Sequence, residues 1–242
     1  MHPDVTPDAL VSTIAAAHPA TIAVFQRHDM NFCCTGRISV ANACHTRGID
    51  AAALLAELEA SLATPANDQN WRTASLAALT SHIQARYHEP LHGELPRIAD
   101  LLARVLRSHR EDYPAMLLPL SDHFHGLTDE LLQHQQKEET VLFPAIVVLE
   151  AAANARDGRN YGQWDWIAEP IKAMNSEHAS ANAKLLAMRE LTNGYTLPLG
   201  ACPTFRGLFH GLQEVERDFS AHVTLERDIL FPRALELARM QR

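Results

Sequence analysis

His134 and Glu138 stand four residues apart, and so do His222 and Glu226. Both pairs sit in one phrase, His-x-x-x-Glu followed by an apolar residue and Leu-Phe-Pro, with Leu142 and Leu230 each eight residues after the histidine. On a helix, residues i and i+4 share a face about 6 Å apart, so a His and a Glu at that spacing can reach one cation together. Neutral imidazole suits iron, zinc and copper, and carboxylate also accepts manganese. Upstream, His88 precedes His134 by 46 residues and His178 precedes His222 by 44. The pattern reads as two copies of a helix pair, each giving one single His and one His-x-x-x-Glu. Four imidazoles and two bridging carboxylates would then meet, a set that favours a pair of irons, with zinc and manganese as alternatives on ligand type alone.

Other histidines compete less well. His210 and Glu214 match by spacing, but lack the Leu-Phe-Pro trailer. They lie 12 residues before His222, about 120° around the same helix, and should face elsewhere. His92, four residues after His88, is a rival ligand on that helix, and His123 reads as exposed or beside the site.

Four long helical stretches must carry these groups. They run over about 73–108, where Pro90 and Pro96 should kink or break the helix, then 119–153, 166–191 and 203–239. A loop occupies 156–162. Modest connections make this an all-α, antiparallel four-helix bundle over 73–242. Residues 1–65 form a small helical unit with a turn at Asn31–Gly36, and 66–72 read as a linker. A unit of that size is marginal alone and should lean on a partner surface, a homodimer being compatible with this.

The whole chain has 242 residues, 47% of them hydrophobic and 21% charged, which fits a globular fold. Its net charge of −8 and the lack of a Lys/Arg run exclude a nucleic-acid groove or an anionic-membrane surface. The more informative count is 14 His against 8 Phe and 4 Tyr. The start has no basic and then apolar leader, and the strongest apolar run, Val141–Leu149, is short and broken by Pro144. Four Cys are too few for a disulfide scaffold, and the adjacent Cys33 and Cys34 are poorly placed to bond each other. A cytoplasmic protein with reduced thiols is expected. There is no Gly-rich phosphate loop and no strand–helix alternation.

These residues resemble a known family. The two His-x-x-x-Glu…Leu-Phe-Pro segments are hemerythrin-like. Asp29-Met30-Asn31-Phe32-Cys33-Cys34-Thr35-Gly36, Arg86-Tyr87-His88, Lys137-Glu138-Glu139 and Ser176-Glu177-His178 are similar to the repair-of-iron-centres proteins. The resemblance implies a small Cys-Cys helical domain before a four-helix bundle with a non-haem di-iron centre. It implies His88, His134, Glu138, His178, His222 and Glu226 as iron ligands, Glu138 and Glu226 bridging, with an oxo or hydroxo bridge. It implies repair of iron–sulfur clusters damaged by nitric oxide or oxidative stress, by iron delivery or by binding and reducing nitric oxide, and so admits a di-iron nitric oxide reductase activity. The implied partners are nitric oxide or oxygen and damaged iron–sulfur proteins. Cys33 and Cys34 would be working thiols, and Glu130 and Glu177 acidic groups near the irons or on their access path. Asn31 stands where the family usually has Asp, removing a negative charge beside the thiols. Arg27, His28 and Arg37 lie close enough in sequence to supply positive charge there. Cys44 and Cys202 are expected only to pack. The alternative is a hemerythrin-like oxygen or nitric-oxide carrier or sensor without turnover. An iron store is set aside, because the repeated pairs read His-x-x-x-Glu rather than its usual Glu-x-x-His.

Overall fold

Proline explains where the long helices change pitch. A computed structural model describes residues 2–18, 21–28, 30, 38–63, 70–155 and 164–241. Four short helices come first: α1 (Val11–Ala17), α2 (Ile22–Arg27), α3 (Val40–Arg47) and α4 (Ala51–Ala63). The first long rod is α5 (Leu76–Ile83), a π turn (Gln84–His88) and α6 (Glu89–His109). The second is α7 (Pro114–Lys137), a π turn (Glu138–Leu142) and α8 (Phe143–Asn154). The third is α9 (Ala168–Leu191). The fourth is α10 (Pro203–Leu225), a π turn (Glu226–Leu230) and α11 (Phe231–Met240). Each π turn is followed two residues on by a proline, Pro90, Pro144 or Pro232. Proline has no N–H to donate and its ring collides with the carbonyl four residues back. The five-residue turn widens the helix and lets it continue. The break expected near Pro90 is therefore a π turn, and Pro96 lies inside α6 without ending it. The second rod starts at Pro114 rather than Pro119, since proline suits the first turn of a helix, and Pro119 is carried inside.

The rods pack as a bundle, α7 against α9 and α6 against α10. Apart from one isolated bridge between Leu10 and Ser39, the described residues form no β-structure. None of the described helices is long and apolar enough to cross a membrane. The interior divides into two apolar clusters. One fills the half of the bundle around Leu102, Phe124, Leu185 and Phe209. The other takes in Phe143, Leu149 and Phe231 together with Val11, Ile14, Phe25, Leu54 and Leu58 of the small helices. The surface that the N-terminal unit leans on is thus the end of its own bundle. Trp71, at the end of the expected linker, is buried with its ring stacked 4.4 Å from His82, and its carbonyl accepts from Arg233 at 2.9 Å.

Helices α6 and α10 approach closely because of Gly211. A Cβ there would stand 2.9 Å from Ile98 Cγ1 and 3.0 Å from Arg97 Nη2, whereas at Gly207 the nearest atom, Leu101 Cδ1, is 3.6 Å away. Gly207→Ala should therefore stabilise the protein by up to about 1 kcal/mol through helix propensity. Gly211→Val should cost about 1–3 kcal/mol through overpacking. Urea midpoints of the two variants check the opposite signs.

Candidate metal centre

The six expected residues meet between the two apolar clusters. His88 closes the first π turn, while Glu138 and Glu226 open the second and third. π turns recur at functional sites because they re-aim side chains within an otherwise regular helix. His178 comes from the unbroken α9. All six are buried, Glu138 and Glu226 completely.

The cluster has two halves. In one, Nε2 of His134 and of His178 are 2.9 Å apart, with Glu138 Oε1 3.3 Å from His134 and Glu226 Oε2 3.1 Å from His178. In the other, Nε2 of His88 and of His222 are 3.5 Å apart, with Glu138 Oε2 3.5 Å from His88 and Glu226 Oε1 3.1 Å from His222. Each carboxylate thus turns one oxygen to each histidine pair. The four carboxylate oxygens have no hydrogen-bond partner among the described residues. Buried lone pairs this close to one another require positive charge between them. The donor set, two imidazoles and two carboxylate oxygens per half, fits a divalent transition cation in each.

Electrostatics give the same reading. Burial, then the neighbouring His222, push His88 down to about 3, and burial pushes His178 down to about 4. For His134 the burial cost is outweighed by Glu138, Glu226 and Glu177, and it rises to about 9. Burial and repulsion from Glu226 raise Glu138 to about 7, whereas His222 and His178 overcome burial at Glu226 and hold it well below the ordinary carboxylate range. Without a cation, protons held on His134 and shared with Glu138 partly balance the charge.

Two further carboxylates direct the rings. His88 Nδ1–H donates to Glu139 Oε1 at 2.8 Å, and His134 Nδ1–H donates to Glu177 Oε2 at 3.0 Å. Each bond fixes the tautomer that leaves Nε2 facing the centre and makes that nitrogen a stronger donor. Glu177 also accepts from Lys137 Nζ at 2.6 Å. The trailer has a role as well. Phe143 stacks on His88 (5.8 Å, 17°) and Phe231 on His178 (6.2 Å, 9°). The internal repeat is broken at two points. By register, Arg227 stands where Glu139 would be, and Tyr87 where Glu177 would be. The two histidines that lose a carboxylate in this way, His178 and His222, are those whose Nδ1 has no hydrogen-bond partner among the described residues. Tyr87 instead lies flat against His222, 5.9 Å between rings at 21°.

Glu139 had no role assigned from sequence, because the histidine it holds is 51 residues away on another rod. Glu130 stands apart from the cluster. It accepts from Lys184 Nζ at 2.6 Å and from Ser180, on the wall of a cavity of about 260 Å³ that reaches Glu177, His134 and His178. His92 and His210 are exposed and outside the cluster, His123 is half-buried and also outside it, and Glu214 pairs with Arg217. Cys33, Cys34, Asn31 and Arg37 lie outside the described residues, as does the 156–162 loop. Arg27 and His28 both contact Glu57, each at 3.0 Å.

Glu139→Gln and Glu177→Gln should each weaken metal retention about 10–100-fold without unfolding the bundle. Loss of metal to a competing chelator, followed over time, checks this.

Cys44 is buried, and burial raises its thiol. Cys202 packs against the apolar cluster of the bundle. It is half-buried at the N-cap of α10, where the Phe205 backbone N–H and then His109 lower its thiol to about 7. Asp112 lies 3.5 Å behind His109. A lowered thiol pKa means thiolate at lower pH, so the Cys202 alkylation rate should rise through about pH 7 while Cys44 stays inert. Peptide mapping after pulse alkylation across pH 5–10 measures it.

A twofold-repeated helix pair closing on a buried cluster of four imidazoles and two carboxylates defines a hemerythrin-like cation-binding bundle. Comparison with known proteins agrees. Residues 79–234 match the hemerythrin HHE cation binding domain, and residues 7–62 match the ScdA_N family, described as a domain of unknown function (DUF542). The chain is 34% identical over 228 residues to the iron-sulfur cluster repair protein YtfE of Citrobacter koseri, covering 94% of this chain and 97% of that one. The same-named proteins of Escherichia coli O81 (strain ED1a) and O17:K52:H18 (strain UMN026) are 34% and 33% identical over the same shares. The chain belongs to the repair-of-iron-centres family.

Proposed function

We propose that this chain repairs iron–sulfur clusters damaged by nitric oxide or oxidative stress, and that its bundle holds two iron ions. The observation that carries the reading is the division of six buried donors into two halves spanned by the same two carboxylates. His134 and His178 would hold one iron, His88 and His222 the other, with Glu138 and Glu226 bridging and an oxo or hydroxo group between. The irons would supply redox chemistry toward nitric oxide or oxygen, and are themselves the cargo if repair proceeds by donation. The chain's own residues do the rest. Glu139 and Glu177 hold protons on Nδ1 and keep Nε2 turned inward. Phe143, Phe231 and Tyr87 exclude water from the rings. The cavity past Glu130 and Glu177 offers the approach to the His134 half, with its two carboxylates paired to Lys184 and Lys137. Cys33 and Cys34 would meet the client, taking a nitrosyl group or engaging the damaged cluster, since thiolates bind iron well. The setting would be the cytoplasm, where thiols stay reduced.

The test is recovery of a purified iron–sulfur hydratase inactivated by nitric oxide. Iron-loaded chain should restore its activity, His134→Ala should not, and Cys33→Ala/Cys34→Ala should keep its iron but lose repair. Nitric-oxide binding with no recovery and no turnover would assign the chain to the carrier or sensor class instead.

A further inference from the structure

The bundle cluster uses four of the fourteen histidines. Two others converge near the start of the chain. His18 caps the end of α1, and its carbonyl accepts from Thr21 twice, from the backbone N–H at 2.9 Å and from Oγ1 at 2.6 Å. Thr21 is fully buried, so this end is pinned. The other end is pinned too: Val5 is fully buried and donates its N–H to the His2 carbonyl at 3.0 Å. Between these anchors Asp4 Oδ2 lies 3.3 Å from His18 Nε2 and 3.9 Å from His2 Nδ1. The same His2 nitrogen accepts weakly from the Asp4 backbone N–H at 3.4 Å, a contact that a bound cation would replace. The two rings meet edge to face, 4.4 Å apart at 77°. One ligand atom from each of the three residues lies within 4.8 Å of the other two.

We propose that His2, Asp4 and His18 form a second metal site, on the surface of the N-terminal unit, for a divalent transition cation. Two imidazoles and one carboxylate are a donor set for Zn²⁺, Fe²⁺, Co²⁺, Ni²⁺ or Cu²⁺, whereas Mg²⁺ and Ca²⁺ want oxygen throughout. Bonds of about 2.0–2.2 Å in tetrahedral geometry place neighbouring ligand atoms about 3.3 Å apart. The His18–Asp4 separation already has that value, and the His2–Asp4 separation needs to close by a fraction of an ångström. Three donors on one side leave the remaining positions to water, and Asp4 is 58% exposed. The ion is therefore exchangeable, unlike one held in the bundle, and no residue is shared between the two sites.

Zinc is the probe. The untagged full chain, with its bundle loaded with iron and with Cys33→Ser and Cys34→Ser to remove competing thiols, is dialysed against zinc and analysed by elemental mass spectrometry. The expected result is one additional zinc per chain, with affinity falling at least about tenfold in both His2→Ala and His18→Ala. A parallel measurement avoids dependence on the variants: in the unmutated chain, zinc should protect His2 and His18 from acylation by diethyl pyrocarbonate, read by peptide mass. No saturable zinc beyond the bundle, zinc binding indifferent to both replacements, or protection confined to other histidines would each overturn the site. None of these outcomes depends on whether the chain repairs clusters.

Discussion

Glu226→Ala is expected to leave the purified chain nearly free of metal. Glu226 is completely buried, and its two oxygens face His178 and His222, each at 3.1 Å, in different halves of the cluster. One truncation therefore removes an anionic donor from both positions at once. A single clamping carboxylate, which never touches the cation, is worth about 10–100-fold in affinity. A shared direct ligand should be worth more. Elemental mass spectrometry on protein purified without oxygen should read about two irons per chain in the parent and at least about a tenfold drop in Glu226→Ala. His92→Ala, on an exposed histidine outside the cluster, should keep full loading. Unchanged iron in Glu226→Ala would end the bridging assignment, and one zinc in the parent would end the di-iron one.

Stripping the metal should also destabilise the fold. The cation removed leaves four carboxylate oxygens and four Nε2 atoms packed together inside the protein. Protons replace it incompletely, because burial resists a charge on His88 and on His178. Leaving buried charge uncompensated costs about 3–5 kcal/mol. For a chain of this size that corresponds to a fall of about 6–20 °C in Tm. Calorimetry of loaded and chelator-stripped protein at one pH measures it, and adding ferrous iron back should restore the loss. Equal melting of the two forms would mean that the cluster is content without a cation.

Which parts of this could be read from sequence follows from where each signal resides. The grouping of the buried His and Glu residues was legible because its core is local and repeated: four residues of spacing fix a helix face, and the trailer repeats it 88 residues later. The helices were legible too, within a few residues at their ends. The π turns were not. Pro90 announces that a regular helix cannot pass, but whether the chain breaks or widens depends on rods α7 and α10 holding both sides of it in line. Glu139 was hidden beside Glu138 for a related reason. Its partner His88 belongs to another rod, and no spacing within one helix reports a contact across the bundle. The grouping of His2, Asp4 and His18 was not legible because His18 is brought to Asp4 by a reversal of the chain that the buried Val5 and Thr21 help to fix.

The broken repeat has a mechanical consequence. Each half of the cluster contains one imidazole tethered from behind, His88 by Glu139 or His134 by Glu177, and one whose outer nitrogen has no partner among the described residues, His222 or His178. A tethered ring cannot turn about its Cβ–Cγ bond without breaking a charge-assisted hydrogen bond, whereas an untethered ring turns against packing alone. Each position is thus built like a vice with one fixed jaw and one that swings. A perfectly duplicated centre, with four tethers, would grip its contents from every side. With Arg227 and Tyr87 at the two positions where the repeat would put further carboxylates, the cluster is held firmly on one side of each half and by packing on the other.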